Sequence, residues 1–268
     1  MTEYALRAVD VRKAFGRRNG TAKVAVDGVS FDLVQGGSLG IVGESGAGKS
    51  TLARMLLGFD EPSSGYIELH GTKLLARASR AERRRRSRQI QMVYQDPFGS
   101  LDPRYSVEDT LIEFLNIHFN LSPVDRAARV RSLLEQVGLS ARDGRSYPGS
   151  MSGGQCQRVA IARALAADPS VIVLDEPVSA LDVSTQARVL NLLADIREET
   201  GVSYAFITHD LGVVRYVSDH IVVMRQGRIV EQGLTSEVLD APNHEYTRKL
   251  RDAVPRAGWT PNTSTIDE

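Results

Sequence analysis

Residues 38–51 read Ser-Leu-Gly-Ile-Val-Gly-Glu-Ser-Gly-Ala-Gly-Lys-Ser-Thr. An apolar run, Ser38 to Val42, feeds a glycine-rich loop that opens a helical stretch, Thr51 to Leu57. That context is what a true phosphate-binding loop requires. Gly43, Gly46 and Gly48 let backbone amides turn toward one point and cradle phosphate oxygens. Glu44, Ser45, Ala47 and Thr51 complete the loop. Lys49 is the point charge for the outer phosphates, and Ser50 offers a hydroxyl to a magnesium ion. The helix that follows adds about half a positive charge at its N-terminus. A chance glycine-rich turn is the alternative, and the full eight-position match in strand–loop–helix order argues against it.

About a hundred residues later, Met151-Ser152-Gly153-Gly154-Gln155 forms a second anion-receptive turn at a helix start. The helix is expected to be amphipathic, with Val159, Ala162, Leu165 and Ala166 on one stripe. Its free amides make an anion site, but it lacks a lysine with which to hold a nucleotide by itself. A plain N-capped helix is the other reading of the segment. The first loop can hold a nucleotide alone; the second matters most if presented to a nucleotide held by another subunit.

Val171-Ile172-Val173-Leu174 is a fully apolar run, typical of a strand buried on both faces of a parallel sheet. Asp175 and Glu176 follow at its C-terminal end, where open α/β sheets place ligands. Asp175 is the expected magnesium partner. Glu176, pointing a different way, can orient or deprotonate an attacking water, a role worth roughly 10²–10⁴-fold in rate. Without the phosphate loop these would read as two solvated carboxylates.

The rest of the chain bounds the problem. Its 268 residues suit one large α/β domain with a small appended part. Basic and acidic residues balance at 33 each, so no basic surplus suggests a duplex-binding surface. The run Arg83 to Arg88 has no interleaved aromatics; it reads as a solvated helix face or a face near membrane-protein partners, and nucleic acid is not expected as a partner. One cysteine, Cys156, makes neither an internal disulfide nor a multi-cysteine metal site, so a reducing cytosol is the simplest compartment. No stretch approaches the roughly 20 apolar residues of a membrane span. Strands are expected at 5–11, 29–34, 65–69, 91–94 and 204–207, and helices at 77–88 and 183–199. A hairpin turn is expected at Gln226-Gly227 between 221–224 and 228–231. From Ser106 to Pro148 the pattern is helical, as in an inserted subdomain. The polar stretch from Ala257 to Glu268 is expected to be poorly ordered.

In this order the short motifs resemble the ATP-binding subunits of ABC transporters over roughly residues 4 to 250. The order is the phosphate loop, Gln95, Ser152-Gly153-Gly154-Gln155, Asp175-Glu176, Ser179-Ala180-Leu181-Asp182, and His209. The family's signature usually begins with leucine; Met151 is a volume-conserving replacement. The resemblance implies an α/β P-loop NTPase core with an N-terminal antiparallel β subdomain and an inserted α-helical subdomain. Its implied bounds are one ATPase domain over 1–256, with helices inserted at about 98–165, and a tail at 257–268. It implies ATP and Mg2+ as bound groups, with Ser50, Gln95 and Asp175 at the metal. Glu176, His209, Lys49 and Gln95 would serve catalysis. Ser152, Gly153, Gly154 and Gln155 would face the γ-phosphate bound by the opposite subunit. Asp182 would couple the two sites, cap the helix from Val183, or both. Phe15 looks like the aromatic that stacks on adenine, the alternative being core filler.

Two further stretches narrow the resemblance to the oligopeptide, dipeptide and nickel importer group. They are Tyr94-Gln95-Asp96-Pro97-Phe98-Gly99-Ser100-Leu101-Asp102-Pro103-Arg104 and Pro242-Asn243-His244-Glu245-Tyr246-Thr247-Arg248-Lys249-Leu250. Glu245 stands where proline is common. Some relatives carry a cysteine-rich segment for an iron–sulfur cluster, which Cys156 alone does not support. The implied partners are a second ABC ATPase subunit (this chain or a related one), transmembrane permease subunits, and indirectly an extracytoplasmic solute-binding protein. The implied location is the cytoplasmic face of the membrane. The main alternative is a soluble ABC-type ATPase module of a multi-subunit enzyme complex of the phosphonate-degrading kind.

Overall fold

The computed structural model describes residues 3–17, 20–75 and 77–253. The expectation for 257–268 lies outside these residues. The chain opens with β1 (Tyr4–Arg17) and β2 (Gly20–Val34), both longer than the stretches read from sequence. They extend because they pair antiparallel along most of their length, from Tyr4 opposite Val34 to Phe15 opposite Lys23. With β4 (Ser64–Leu69) and β5 (Thr72–Lys73) they form a four-stranded antiparallel sheet in the order β2-β1-β4-β5.

The second sheet has six strands. These are β3 (Ser38–Val42), β6 (Ile90–Val93), β7 (Val171–Asp175), β8 (Ser203–Thr208), β9 (His220–Arg225) and β10 (Arg228–Leu234). Their order is β10-β9-β3-β8-β7-β6; all neighbours are parallel except the β9–β10 hairpin, which turns at Gln226-Gly227 as expected. Successive side chains of a strand point to opposite faces, and here both faces are covered. Ile172 and Leu174 join one apolar core while Val171 and Val173 join another. Tyr204 and Phe206 divide from Ala205 and Ile207 in the same way. That is why these runs are uninterruptedly apolar.

Between the two sheets lies α1 (Lys49–Leu56), whose Leu52, Met55 and Leu56 pack with β1, β2 and β4. The opposite face is covered by α3 (Val107–His118), α4 (Pro123–Gln136), α6 (Gly153–Leu165) and α7 (Val183–Thr200). Short α5 (Ala141–Gly144) connects α4 toward α6. The basic helix α2 (Arg80–Gln89) buries none of its residues. Three helices not anticipated from sequence, α8 (Leu211–Val217), α9 (Thr235–Asp240) and α10 (Glu245–Asp252), share a third core with Val42, Ile221 and Val223. Each is at most eight residues long, too short to imprint a clear period on the sequence.

One expectation needs correction. Helix α6 does not carry a single apolar stripe: Cys156, Gln157, Val159, Ala160, Ile161, Ala162, Ala164 and Leu165 are all buried. It lies between the sheet and the other helices and is covered almost all round, which its small alanines permit. Because β7 has no solvent face, Ile172→Ala is expected to destabilise by about 2–5 kcal/mol. The thermal midpoint should fall on the order of 10 °C for a domain of this size. A midpoint within two degrees of the parent in a thermal melt would contradict the two-sided burial.

Candidate active site

Four parallel strands end on the same edge, and each delivers one part of the site. Val42 at the end of β3 leads into the phosphate loop, and Val93 at the end of β6 leads to Gln95. β7 ends at Asp175, and β8 ends at Thr208 just before His209. Register brings these ends level: Val42 pairs with Thr208, Ile207 with Asp175, and Leu174 with Val93. The carboxyl ends of parallel strands are where such sheets bind ligands.

A cavity of about 950 Å³ opens there. It is lined by Gly43, Glu44, Ser45, Gly46, Gly48, Lys49, Ser50 and Thr51, together with Gln95, Asp175, Glu176 and His209. The loop is locked from behind. A Cβ on Gly43 would collide with the Met224 carbonyl oxygen, and one on Gly48 with that of Ala25, at φ +157° and +104° respectively. Ala47 turns its side chain inward, and its carbonyl accepts from the Gly227 amide at 3.0 Å. Gly46 faces open space. The loop is therefore rigid behind and vacant in front, as a phosphate cradle requires.

Lys49 is buried, and its ammonium donates to the carbonyls of Gly43 (2.6 Å) and Glu44 (3.0 Å). Burial pushes its pKa below the ordinary lysine value, and the carboxylates of Glu176, Asp175 and Glu44 pull the other way. Burial pushes Asp175 up, the Glu176 carboxylate adds to this, and Lys49 opposes it. Both charges are thus partly desolvated, and each is partly offset by the other.

Glu176 is the most constrained residue of the group. Its backbone stands at φ +45°, the left-handed region, which costs a non-glycine residue on the order of 1–3 kcal/mol. The surroundings impose it: the Glu176 amide donates to the Ile207 carbonyl at 2.8 Å, and its own carbonyl accepts from the Ser179 hydroxyl at 3.0 Å. The side chain is held at both oxygens. His209 Nδ1–H donates to Oε1 at 3.0 Å, and Gln95 Nε2 donates to Oε2 at 3.2 Å. This fixes the Nδ1-protonated ring of His209 and leaves Nε2 for another partner.

No group of three or more His, Cys, Asp or Glu side chains that could hold a metal occurs among the described residues. The oxygen donors on the cavity wall include Ser50, Gln95 and a close carboxylate pair, Asp175 and Glu176. That suits magnesium, which takes one or two carboxylates and substrate phosphates. Ser50 and Asp175, both on the cavity wall, fit that small protein share.

The second set of expected residues does not line this cavity. Ser152 caps α6: its hydroxyl accepts from the Gln155 amide (3.3 Å), and Gln155 Oε1 accepts from the Ser152 amide (3.0 Å). A Cβ on Gly153 would stand 3.3 Å from Leu181, a tight contact, and one on Gly154 would collide with Thr185. Asp182 caps α7, accepting from the Thr185 amide (3.0 Å) and from the Ser184 and Thr185 hydroxyls (both 2.7 Å). These bonds hold its carboxyl far below the usual range. The segment Ser179–Asp182 therefore spans the two groups: Ser179 bonds to Glu176 and Gln95 at the cavity, and Leu181 packs beside Gly153. Phe15 is 45% exposed and does not line the cavity; its cross-strand partner Lys23 does.

Lys23, Val24, Ala25, Gln226, Gly227 and Leu250 also line the cavity and were not anticipated. Tyr246 touches the loop itself: its hydroxyl accepts from the Glu44 amide at 3.1 Å. The hairpin signal at Gln226-Gly227 and the quoted stretch 242–250 pointed to structure or kinship there, not to contact with the loop.

The sequence model of the family described as ABC transporter matches residues 26–179. The chain is 45% identical over 256 residues to the oligopeptide transport ATP-binding protein OppF of Bacillus subtilis, covering 95% of this chain and 84% of OppF. It is equally identical, over 256 residues, to the dipeptide transport ATP-binding protein DppF of Escherichia coli (94% and 76%). It is 49% identical over 250 residues to OppD of Mycobacterium tuberculosis; that match covers 93% of this chain and only 40% of OppD. Among solved structures, cbiO1 from Clostridium perfringens, part of the ABC transporter complex cbiONQ, superposes with a TM-score of 0.79 at 30% identity (89% and 92% covered). The dimeric ATP-binding cassette MJ0796, in a post-hydrolysis state bound to ADP and Pi, gives 0.76 at 28% identity (86% and 98%).

Proposed function

We propose that this chain, which belongs to the ABC transporter family, is the ATP-hydrolysing subunit of an importer that takes up peptides or a related small solute through separate membrane subunits. One observation carries the chemistry: a strained glutamate held by Gln95 and His209 in a phosphate-loop cavity, with the Ser152–Gln155 helix standing outside it. The names of OppF and DppF support peptides as the solute class.

In this reading Lys49 leaves its two carbonyl partners to meet the outer phosphates, and the loop amides hold the remaining oxygens. Ser50, Gln95 and Asp175 would hold Mg2+, which would supply neutralisation of the phosphate charge. Glu176 takes the proton of the attacking water. His209 holds Glu176 through Nδ1–H, and its Nε2–H would donate to a γ-phosphate oxygen, which requires both ring nitrogens to carry hydrogen. Phe15, across the strand pair from the lining residue Lys23, would stack on adenine. Two ATPase subunits, both this chain or one of them a relative, close head to tail. Each presents Ser152–Gln155 and Asp182 to the ATP held by its partner's Lys49. ATP shifts the open–closed equilibrium by its greater affinity for the closed pair.

No helix among the described residues is long and apolar enough to cross a membrane. Attachment to the cytoplasmic face would run through the permease subunits, with a solute-binding protein beyond them. A groove of about 1120 Å³ supports this reading; Phe59, Tyr94, Tyr105, Phe114 and Ile117 line it beside the arginines of α2. It lies next to Gln95 and suits a permease segment.

Phosphate release from ATP by the purified chain tests the proposal. Hydrolysis is expected to require magnesium, and its specific rate should rise with chain concentration because the site is completed by a second subunit. Absence of hydrolysis at every concentration, including in detergent-solubilised complexes with membrane subunits, would sink it. Hydrolysis that never associates with a membrane fraction would favour the soluble enzyme-complex alternative.

A further inference from the structure

The entry of the phosphate loop is tied to the C-terminal part of the described chain. Most polar groups of that entry are engaged nearby. The Ala47 amide donates to the Glu44 carbonyl at 3.1 Å, and Lys49 Nζ donates to the carbonyls of Gly43 and Glu44. The Glu44 amide instead donates to the hydroxyl of Tyr246, 202 residues further along. Tyr246 is buried, with the Arg225 guanidinium 4.9 Å from its ring centre. One helical turn later, Leu250 lines the same cavity. Residues i and i+4 share a helix face, so the same face of α10 meets the loop at Glu44 through Tyr246 and reaches the cavity at Leu250.

That helix is itself anchored. The Glu231 carboxylate on β10 accepts from the amides of Asn243 (2.7 Å) and His244 (3.2 Å). His244 Nδ1 accepts from the Tyr246 amide at 3.1 Å and caps the helix. A continuous line therefore runs from Glu231 through the α10 entry and Tyr246 to the Glu44 backbone. It ends at the carbonyls that hold the Lys49 ammonium.

We propose that Tyr246 is a positioning residue for ATP binding: α10 reaches the nucleotide site at Leu250 and, through the Tyr246 hydroxyl, presets the entry of the phosphate loop. The proposal rests on the nucleotide reading above. It assigns to the stretch 242–252 a direct part in nucleotide affinity. Tyr246 itself acts through the loop and stays clear of the reacting atoms. Without the hydroxyl, the Glu44 amide loses its partner in the ligand-free site and the loop entry is freer to drift. Ordering it again is then charged against binding, while the chemical step, run by Glu176, is untouched.

The test is titration of trinitrophenyl-ATP with magnesium into the full chain, with kcat and KM for ATP measured alongside. Tyr246→Phe keeps the ring and its packing and removes one hydrogen bond, so Kd and KM should rise about three- to tenfold. Its kcat should stay within twofold, and its thermal midpoint within about 2 °C. Glu231→Ala releases the entry of α10 without touching the cavity and should weaken binding at least twofold in the same direction. An unchanged Kd in either variant overturns the proposal, as does a Tyr246→Phe protein whose kcat and thermal midpoint both fall. Wild-type chain that binds no nucleotide would instead overturn the nucleotide reading itself, so the two failures are distinguishable.

Discussion

Replacing Glu176 with Gln is expected to lower the rate of ATP hydrolysis by roughly 10²–10⁴-fold while nucleotide binding is retained or strengthened. The substitution keeps size and shape but removes the carboxylate proposed to accept the water's proton. It also disturbs the clamp. The carboxylate accepts from His209 at one oxygen and from Gln95 at the other. A glutamine side chain has one acceptor oxygen and one donor nitrogen, so the second bond survives only if the Gln95 amide turns to present its oxygen. Binding should not suffer in the same way. Glu176 is a negative charge in a cavity that must receive a triphosphate, and its carboxylate already pushes Asp175 upward. Removing it relieves like-charge repulsion. If hydrolysis is what parts the two subunits, the variant should accumulate with ATP as a dimer. Single-turnover phosphate release and light scattering on the ATP-loaded protein check both halves. Turnover within threefold of wild type would remove Glu176 from the mechanism.

Ser152→Arg is expected to leave ATP affinity within about threefold and to cut turnover on the order of 100-fold. Within one chain, Ser152 is remote from the cavity: it does not line it, and its bonds go to Gln155. Losing the cap costs α6 about 1 kcal/mol, tolerable in a helix buried on nearly all sides. An arginine there fills the space in front of the Gly153 and Gly154 amides, where a partner's γ-phosphate would dock. It therefore blocks closure and spares the binding half-site. Mixing this variant with a Lys49→Ala chain gives a second readout: the mixture contains dimers with one intact composite site and should regain part of the lost activity. Wild-type turnover by Ser152→Arg alone would mean that the active site lies within a single chain.

Contiguous features were legible without coordinates. The phosphate loop spans nine residues whose roles follow from local backbone geometry. Val171–Leu174 announces two-sided burial by having no polar position. Asp175-Glu176 and His209 are found by sitting directly after such runs, so strand ends could be named before the strands were arranged. The helical stretch 106–148 was visible as a change of period. The error on α6 has a simple origin. A run rich in alanine and small residues fits an amphipathic helix and a fully enclosed one equally well, and only the neighbouring layers decide between them.

The amino-acid sequence by itself determined the local structure of this chain: which glycine-rich loop opens a helix, which carboxylates end a buried strand, which serine starts a helix. The tertiary structure alone decided what meets what. It set Glu176 at φ +45° between His209 and Gln95, kept Ser152 apart from Lys49, packed Gly154 against Thr185, and brought Tyr246 to Glu44. The reason is physical. A loop or a helix cap is specified by forces acting over a few residues. Contacts separated by some two hundred residues depend on strand order and layer packing, which no local period along the chain records.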